Sequence, residues 1–357
     1  MRITDIFSLE DFKDSIPFTA LGARTCYSSG NLDYLLNDPR VVSREERAKF
    51  LSKLGNLKHF SVFAHSFAYK DLKTLPEETL NRYLEEELHP LPKKTKAKLL
   101  AQKIAAQKFK SHYNPEYPTV IGVSLRHFLE DLLEQNEKEY YAAFEKMAEY
   151  DVPTDPLGYK DNVWLIGLNK NYDGYAVFYI DNVSRTMTHQ LVRHTTLNFS
   201  QRSQRYVKED ENQFIIPPSI KEKTEKKDLN QLKSYFQPIV EQLYLEILAT
   251  DAKPQIKEKI KQKKEQFLEE KRLNTLADLF QYTDFLADTV YEYAVYVEKI
   301  KREDARFILP HGRKTTIVVS GTLNWIKDFI QKRTDPHAQW EIRKVAFAMK
   351  ELLDKNL

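Results

Sequence analysis

The chain has 357 residues, of which 41% are hydrophobic and 30% charged, a globular composition with enough apolar material for a core. Its 55 basic and 52 acidic side chains leave a net charge of +3, too small to indicate a nucleic-acid or membrane partner by itself. The single cysteine, Cys26, excludes a disulfide framework and a thiolate zinc cage. No apolar run approaches the roughly 20 residues of a membrane-spanning helix, and the amphipathic start does not resemble a signal peptide. We therefore expect a soluble, cytoplasmic protein.

The first seventy residues predict short elements around one capped helix. Residues 1–7 have a strand-like pattern, and a helix is expected to end in the sequence GARTCYSS. Ser43 is followed by Glu46 at the spacing of a capping box, and Gly55 is expected just past the end of that helix. The aromatic and β-branched density of residues 60–71 predicts a strand.

Residues 71–170 differ in character and predict a mainly helical insertion of unknown role. An acidic helix is followed by a basic one at residues 93–110, and residues 124–150 predict one long amphipathic helix. The charge runs are typical of solvated helix faces. The basic stretch lacks the interleaved aromatic residues and glycines of a nucleic-acid site, so we expect no nucleic-acid partner.

Residues 171–357 alternate strands with long helices. A strand is predicted at 175–181, followed by a helix capped by Asn182 or Ser184. Pro238 is expected in the first turn of a later helix, since proline is poorly tolerated further inside. Further strands are predicted at 305–310 and 315–321, and no Gly-x-Gly-x-x-Gly loop is present. The pattern favours an α+β fold in which a mixed or antiparallel sheet packs with long helices.

Residues 189–207 concentrate groups that bind anions. Gln190, Arg193 and His194 are spaced i, i+3 and i+4, which would place them on one helix face near its C-terminus. Serine hydroxyls, Arg205 and Tyr206 follow on a predicted extended loop. Guanidinium groups, hydroxyls and free backbone N–H groups together suit an anion. From residue types alone, two alternatives to an anion site stay open. One is a surface loop with incidental charge, and the other is a buried His–Arg pair whose hydrogen bonds are satisfied within the protein.

The same segment resembles the flavin-dependent thymidylate synthase family, also called the thymidylate synthase complementing protein family. Its signature is Arg-His-Arg, seven residues, then Ser; here Arg193-His194-Thr195 is followed by Ser203 at that spacing. Three further blocks are similar in order and spacing: GARTCYSS, residues 59–69 with His59, Ser61 and His65, and residues 305–343 with Arg306 and Arg333. The blocks are jointly specific. The departures are Thr195 for arginine, Thr322 and Asn324 for asparagine and arginine, and Ala64 for glutamate.

The resemblance implies methylation of dUMP to dTMP. Methylenetetrahydrofolate would donate the carbon, reduced FAD the hydride, and NADPH would reduce the flavin, in a homotetramer. The catalytic domain would comprise residues 1–70 and 171–357. The residues implied for dUMP are Gln190, Arg193, Gln201, Ser203, Gln204, Arg205, Arg306 and Arg333. Those implied for FAD are His59, Ser61, Arg193, His194, Thr195, Thr322, Asn324 and Asp328.

The resemblance gives Arg333 the catalytic role, because a guanidinium at the pyrimidine edge stays charged while negative charge develops there. A cysteine-dependent thymidylate synthase is not expected, since Cys26 is not in a Pro-Cys context. Ser203 has no evident base beside it, so a binding role is expected for its hydroxyl. His311 and His337 have no partners at ligand spacing, and no metal is predicted.

Two rival functions keep the arginine pocket but differ in chemistry. Because the altered positions are on the flavin side, one rival is a nucleotide- or RNA-binding paralogue without flavin catalysis. The other rival is a flavoenzyme that adds a different one-carbon group to a pyrimidine nucleotide.

Overall fold

The computed structural model describes residues 2–107, 111–152, 155–207, 214–226, 229–269 and 273–357. The α-helices within these ranges are α1 (Ile16–Cys26), α2 (Leu32–Leu36), α3 (Pro39–Val42), α4 (Arg44–Asn56), α5 (Glu77–Arg82), α6 (Lys93–Ala106), α7 (Leu125–Gln135), α8 (Glu137–Met147), α9 (Arg185–Leu191), α10 (Pro218–Lys221), α11 (Asn230–Ala249), α12 (Pro254–Glu269), α13 (Leu276–Tyr296), α14 (Arg302–Ala305), α15 (Leu323–Arg333) and α16 (Trp340–Asn356). The strands are β1 (Phe67–Asp71), β2 (Val120–Ser124), β3 (Gly158–Lys160), β4 (Val163–Asn169), β5 (Tyr175–Ser184), β6 (Asn198–Gln201) and β7 (Lys314–Thr322).

Two sheets accompany these helices. Strands β1 and β2 form an antiparallel pair, and the second sheet has the order β3-β4-β5-β7-β6. The second sheet contains three described antiparallel pairs: β3 with β4, β4 with β5, and β6 with β7. The register of the β4–β5 pair shifts between Leu165 and Gly167. Antiparallel sheets with long helices make this an α+β fold, which confirms the fold class predicted from the sequence.

The chain divides into two compact units. The first unit comprises Met1–Asp181, Leu191–Gln201 and Thr316–Leu357, and the second comprises Asn182–Gln190 and Arg202–Thr315. Residues 71–170 therefore lie in the first unit, and their strands β3 and β4 join the second sheet. The separate role assigned to 71–170 as an insertion stays a prediction.

The main core of the first unit collects buried side chains from α1, α4, α6, α7 and α8 and from β1 and β2. Its helices show how local sequence sets boundaries. Ser43 caps α4, as predicted, by accepting a hydrogen bond from the Glu46 amide. Residues 124–150 contain two helices rather than the predicted single one. Asn136 leaves the helical conformation at φ −153° and caps α8 by accepting from the Glu139 amide at 3.2 Å.

Two predicted strands are wrong, and a third is extended only in its second part. Residues Ile3–Asp5, Phe60–His65 and Arg306–Ile308 form 3₁₀ helices, and only Phe67–Asp71 of the second segment is extended. In Phe60–His65 four consecutive side chains, from Val62 to His65, are buried. A strand with one solvent face would bury alternate residues only, whereas this turn packs between α1 and α7.

The second unit packs α11 and α13 around buried Tyr244, Tyr282 and Phe285. Pro238 lies inside α11, eight residues after its start at Asn230, so the expectation of a first-turn proline is wrong. The missing hydrogen bond is tolerated because Val240, Tyr244 and Ile247 fix the following turns in the core. Among the described helices, none is long and apolar enough to cross a membrane.

Candidate active site

A cavity of about 590 Å³ lies in the first unit, within the size range of small-molecule sites. Four parts of the chain supply most of its wall. The first is the 3₁₀ helix at residues 60–65 with the start of β1, and the second is the segment at 111–113, before β2. The third is the start of α7, and the fourth consists of residues 195–199 at β6 and 321–325 at the junction of β7 and α15. The described lining residues are Ser61, Ala64, Phe67, Ser111, His112, Tyr113, Ser124, Arg126, His127, Tyr175, Thr195, Thr196, Leu197, Asn198, Phe199, Gly321, Thr322 and Trp325.

Two hydroxyl groups in this wall have no hydrogen-bond partner. Thr322 is 4% exposed, and its Oγ1 is buried without a partner. The residue stands at the N-cap of α15, yet its side chain does not cap the helix. Ser111 Oγ is likewise buried without a partner. An unsatisfied buried hydroxyl costs about 1–3 kcal/mol, so both groups favour a polar ligand in the cavity.

Aromatic side chains give the cavity a flat wall. The rings of Phe67 and Tyr175 stack at 4.6 Å with an interplanar angle of 9°. The Tyr175 hydroxyl donates to Ser320 Oγ at 2.8 Å, and Asn198 Nδ2 donates to that hydroxyl at 3.2 Å. Burial raises the pKa of Tyr175 to about 12, so its hydroxyl stays protonated at neutral pH.

The cavity wall is backed by a buried, neutral hydrogen-bonded chain. His65 Nδ1 lies 2.8 Å from Ser320 Oγ, and His65 Nε2 lies 2.8 Å from Ser200 Oγ. Burial lowers the pKa of His65 to about 3, so the imidazole is neutral and has one donor and one acceptor nitrogen. One serine therefore accepts from the ring and the other donates to it. The histidine of the family's upstream block thus lies behind the cavity rather than in it.

Cys26 joins the same region through Ser200. Burial raises the pKa of the Cys26 thiol to about 11, against a smaller opposite effect of a hydrogen bond with Ser200. At neutral pH almost all of this thiol is protonated, which argues against a thiolate nucleophile.

The cavity brings together three of the residues predicted for flavin. Ser61, Thr195 and Thr322 all line it, although they are more than a hundred residues apart in sequence. The other predicted flavin residues of this unit do not line it. His59 Nδ1 pairs with the Tyr27 hydroxyl at 2.8 Å, and Asp328 pairs with Lys332 at 2.7 Å.

Asn324 reaches a different partner, Asp173. Its Nδ2 donates to Asp173 Oδ1 at 3.4 Å, and the same carboxylate accepts from Asn114. His112 Nε2 lies 2.5 Å from Asp173 Oδ2. Because His112 lines the cavity, Asn324 contributes to the site through the carboxylate that positions this imidazole.

Arg333 and His194 are in direct contact. Arg333 Nε donates to His194 Nε2 at 2.9 Å, and the Phe329 ring lies edge-on to the imidazole at 5.0 Å. Burial, and then the positive charges of Arg333 and Lys332, lower the pKa of His194. A neutral imidazole is the form that can accept from a guanidinium. The pair connects a residue predicted for dUMP with one predicted for FAD.

The helical placement of the signature is corrected. Helix α9 ends at Leu191, so Arg193 and His194 lie in the turn beyond it and share no helix face with Gln190. The His194 amide closes this turn by donating to the Leu191 carbonyl. Arg193 is exposed, and Gln201 ends strand β6.

In the second unit, two arginines contact Glu303 and a third contacts the Tyr206 carbonyl. Arg205 Nη2 lies 3.0 Å from Glu303 Oε2, and Arg306 Nε donates to the Glu303 carbonyl at 3.1 Å. Arg302 Nη1 donates to the Tyr206 carbonyl at 3.3 Å. The Arg205 amide also bonds Ser203 Oγ at 3.2 Å. Three guanidinium groups outnumber the carboxylates of Glu303 and Asp304 by one, and this excess positive charge suits an anion.

The side-chain amide of Gln204 lies next to Arg205 in the sequence and is also available to a ligand. The residue is 7% exposed, and its Nε2 is buried without a partner. A bound polar ligand is the simplest way to satisfy it.

Sequence reasoning missed Ser111, His112, Arg126, His127 and, in the second unit, Arg302. The first four lie in the segment interpreted as a helical insertion, where no motif singled them out. The only local signal was the pair Arg126-His127 directly after the N-cap position Ser124 of α7. Among the described residues, no cluster of three or more His, Cys, Asp or Glu could hold a metal ion.

Comparison with known proteins identifies the family. Residues 174–357, about half of the chain, match the thymidylate synthase complementing protein family, and the chain belongs to that family. Three curated relatives are named flavin-dependent thymidylate synthase. The one from Mycobacteroides abscessus is 32% identical over 180 residues, and the one from Clostridium tetani is 33% identical over 175 residues. The one from Thermococcus onnurineus is 30% identical over 221 residues.

These matches are partial in both directions. They cover 50%, 48% and 60% of this chain and 58%, 55% and 67% of the respective relatives, so the chain spans little more than half the length of the first two. A solved flavin-dependent thymidylate synthase from Helicobacter pylori, complexed with FAD and dUMP, is 18% identical with a TM-score of 0.31. It covers 51% of this chain and 69% of that one, a likeness too low to compare the sites.

Proposed function

We propose that this protein is a flavin-dependent thymidylate synthase that methylates dUMP to dTMP. Methylenetetrahydrofolate donates the carbon, and FAD reduced by NADPH supplies the hydride. The observation that carries the proposal is the cavity itself. It joins Ser61, Thr195 and Thr322, which the sequence resemblance assigned to flavin, and it contains two buried hydroxyls that no described residue satisfies.

The lining of the cavity fits a flavin. The stacked Phe67 and Tyr175 rings offer an apolar wall to a flat heterocycle, and Ser61, Thr195 and Thr322 offer hydroxyls to its polar edge. When bound, the flavin supplies the hydride, and the protein holds and orients it.

On the nucleotide side, the arginines of the second unit suit a phosphate. Arg205 contacts the Glu303 carboxylate and Arg306 contacts the Glu303 carbonyl, so both guanidinium groups lie at the same residue. Bidentate arginine contacts are the strong form of phosphate recognition. We assign Gln190, Ser203 and Gln204 of the same unit to this ligand. For Arg193 and Gln201, a role in dUMP binding stays a prediction of the sequence resemblance.

Arg333 is the proposed catalytic residue. Its contact with His194 uses Nε, so the two terminal nitrogens of the fork remain for the pyrimidine edge. The neutral imidazole orients the fork without compensating its charge. A fixed guanidinium then stabilises the negative charge that develops on the ring when C5 attacks the carbon donor.

An assay with purified components tests the proposal. The protein is incubated with dUMP, methylenetetrahydrofolate, NADPH and FAD, and dTMP is measured, with each component omitted in turn. We expect dTMP only in the complete mixture. Arg333→Lys should lower turnover by roughly 10²-fold, by analogy with loss of an oxyanion-stabilising donor, while dUMP affinity changes much less. Unchanged turnover in this variant would remove Arg333 from the mechanism.

One observation favours a second function, a nucleotide-binding paralogue without flavin catalysis. Thr195 offers one short hydroxyl, and the Asn324 amide is engaged by Asp173, so two positions where the resemblance predicts arginine present no charge to the cavity. For this function we expect thermal stabilisation by dUMP, no FAD binding and no dTMP. Assembly as a homotetramer and a cytoplasmic location stay predictions.

A further inference from the structure

We propose that residues 111–127 form an anion-binding subsite of the cavity, in which Arg126 binds the phosphate groups of the ligand. This segment precedes residues 174–357, which match the family, and belongs to the region for which the sequence predicted no role. The subsite rests on the proposed function only for the identity of the ligand as FAD. Its preference for an anion follows from the charges of the wall.

The only permanently charged side chain in the described wall is positive. Arg126 is permanently cationic, His112 and His127 add imidazoles, and none of the described lining residues has a carboxylate. The part of the wall at 195–199 and 321–325 contains no charged side chain. The fixed positive charge of this wall therefore comes from the segment 111–127.

Arg126 is only weakly held in the absence of a ligand. Its Nε lies 2.8 Å from Glu130 Oε1, one turn along α7, and both side chains are about one third exposed. Ion pairs of this kind contribute little to stability, because water competes with them. A phosphate that accepts two hydrogen bonds from the guanidinium can therefore replace the carboxylate.

The surroundings of Arg126 also favour an anion. Arg126 lies in the first turn of α7, an eleven-residue helix whose positive dipole end adds to the guanidinium charge. Ser124 does not cap this helix, because its Oγ pairs with His127 Nδ1 at 2.8 Å. Independently of the helix, Thr322 Oγ1 in the same cavity is buried without a partner, which indicates a ligand with polar atoms.

The charge-removing variant Arg126→Gln tests the subsite against two flavins. Binding of FAD, which has a diphosphate, and of riboflavin, which has none, is followed by flavin fluorescence at fixed ionic strength. We expect the dissociation constant for FAD to rise roughly tenfold or more and that for riboflavin to stay unchanged. The control is Arg44→Gln, since Arg44 forms a surface ion pair with Glu149 at 2.6 Å and does not line the cavity.

Glu130→Gln provides a test of opposite sign. This variant removes the carboxylate that competes for Arg126 and keeps the side-chain shape. FAD should then bind a few-fold more tightly, and the gain should shrink at high salt because exposed charges are screened. Equal FAD affinity of wild type, Arg126→Gln and Glu130→Gln overturns the subsite and leaves the proposed function intact.

If the wild-type protein binds no FAD, the proposed function fails and pyrophosphate decides on the subsite. Thermal stabilisation of wild type by pyrophosphate, lost in Arg126→Gln but kept in Arg44→Gln, supports an anion subsite for another ligand. No stabilisation of wild type, or equal stabilisation of all three proteins, overturns it.

Discussion

Each of the two units contains a buried polar cluster, but one cluster is neutral and the other is charged. In the first unit, His65, Ser200, Ser320 and Tyr175 form a chain of neutral hydrogen bonds behind the cavity. In the second unit, Arg313 lies 2.6 Å from Asp284 and 2.8 Å from Asp288, and all three side chains are 1% exposed or less. Lys263 adds pairs to Asp288 and Glu292.

This difference in charge determines how much stability each cluster loses when one of its side chains is removed. A neutral chain loses only neutral hydrogen bonds when a member is removed, whereas a charge cluster is left with uncompensated buried charge. Burial lowers the pKa of Arg313, but the opposing effect of Asp288 and Asp284 is larger and the net pKa is raised. Burial raises the pKa of Asp284, and Arg313 offsets this only in part. We infer that the charged cluster stabilises the unit carrying Arg205 and Arg306, and that the neutral chain supports the part of the cavity wall at 195–199 and 321–325 without adding charge to it.

The largest effect is expected from Arg313→Met in the charged cluster. Loss of the guanidinium removes the ion pair of buried Asp284, while Asp288 keeps its pair with Lys263, and the free energy of unfolding should fall by about 3–5 kcal/mol. Urea unfolding followed by circular dichroism measures this. Arg82→Met is the control, because Arg82 is 54% exposed and lies 3.6 Å from Asp5. Similar losses in the two variants would show that the cluster contributes no more than a surface pair.

The neutral chain should instead respond to acid. The folded pKa of His65, about 3, lies below the unfolded value near 6.5, so protons bind preferentially to the unfolded state. Stability from this group is present above pH 6.5 and lost as the pH falls towards 3, by about 2 kcal/mol between pH 6.5 and 5. The His65→Gln variant should be less stable than the wild type at pH 7, and its free energy of unfolding should change less between pH 6.5 and 5.

His337→Gln controls for the loss of an imidazole at the surface, because the His337 side chain is 96% exposed. Its free energy of unfolding at pH 7 should stay close to that of the wild type. A His65→Gln profile with the wild-type slope would mean that His65 is not the group that sets the acid sensitivity.

The contrast between the units also shows how far the sequence could lead. Residue spacing predicted the capping of α4 by Ser43 and the strand at Tyr175, because both depend on neighbours in sequence. The resemblance placed Thr195 and Thr322 at one site, and both line the cavity. It could not find Arg126 or the pairing of Arg333 with His194. Those contacts depend on long-range packing, and the helical pattern of residues 124–150 carried no mark of a binding site.

Adding charge to the neutral wall gives a smaller effect. Thr195 is exposed and lines the cavity, so Thr195→Arg would place a guanidinium on the part of the wall that has none. We expect FAD to bind about fivefold more tightly, near 1 kcal/mol, since exposure weakens the new contact. Flavin fluorescence titration measures the change. Unchanged or weaker binding would mean that the wall at 195–199 has been reshaped for a ligand without charge at that position.

The smallest effect is expected at Cys26, where the neutral chain ends. With a pKa near 11, about one thiol in a thousand is ionised at pH 8, so Ellman's reagent should modify the folded protein far more slowly than the unfolded one. Cys26→Ser keeps a partner for Ser200, whereas Cys26→Ala removes it. The alanine variant should therefore be less stable than the serine variant by about 0.5–1 kcal/mol, the contribution of one neutral hydrogen bond. Both should retain dTMP synthesis, because the mechanism needs no thiolate. A folded Cys26→Ser protein that makes no dTMP would show that the thiol acts in the chemistry and that the chain behind the cavity is more than structural support.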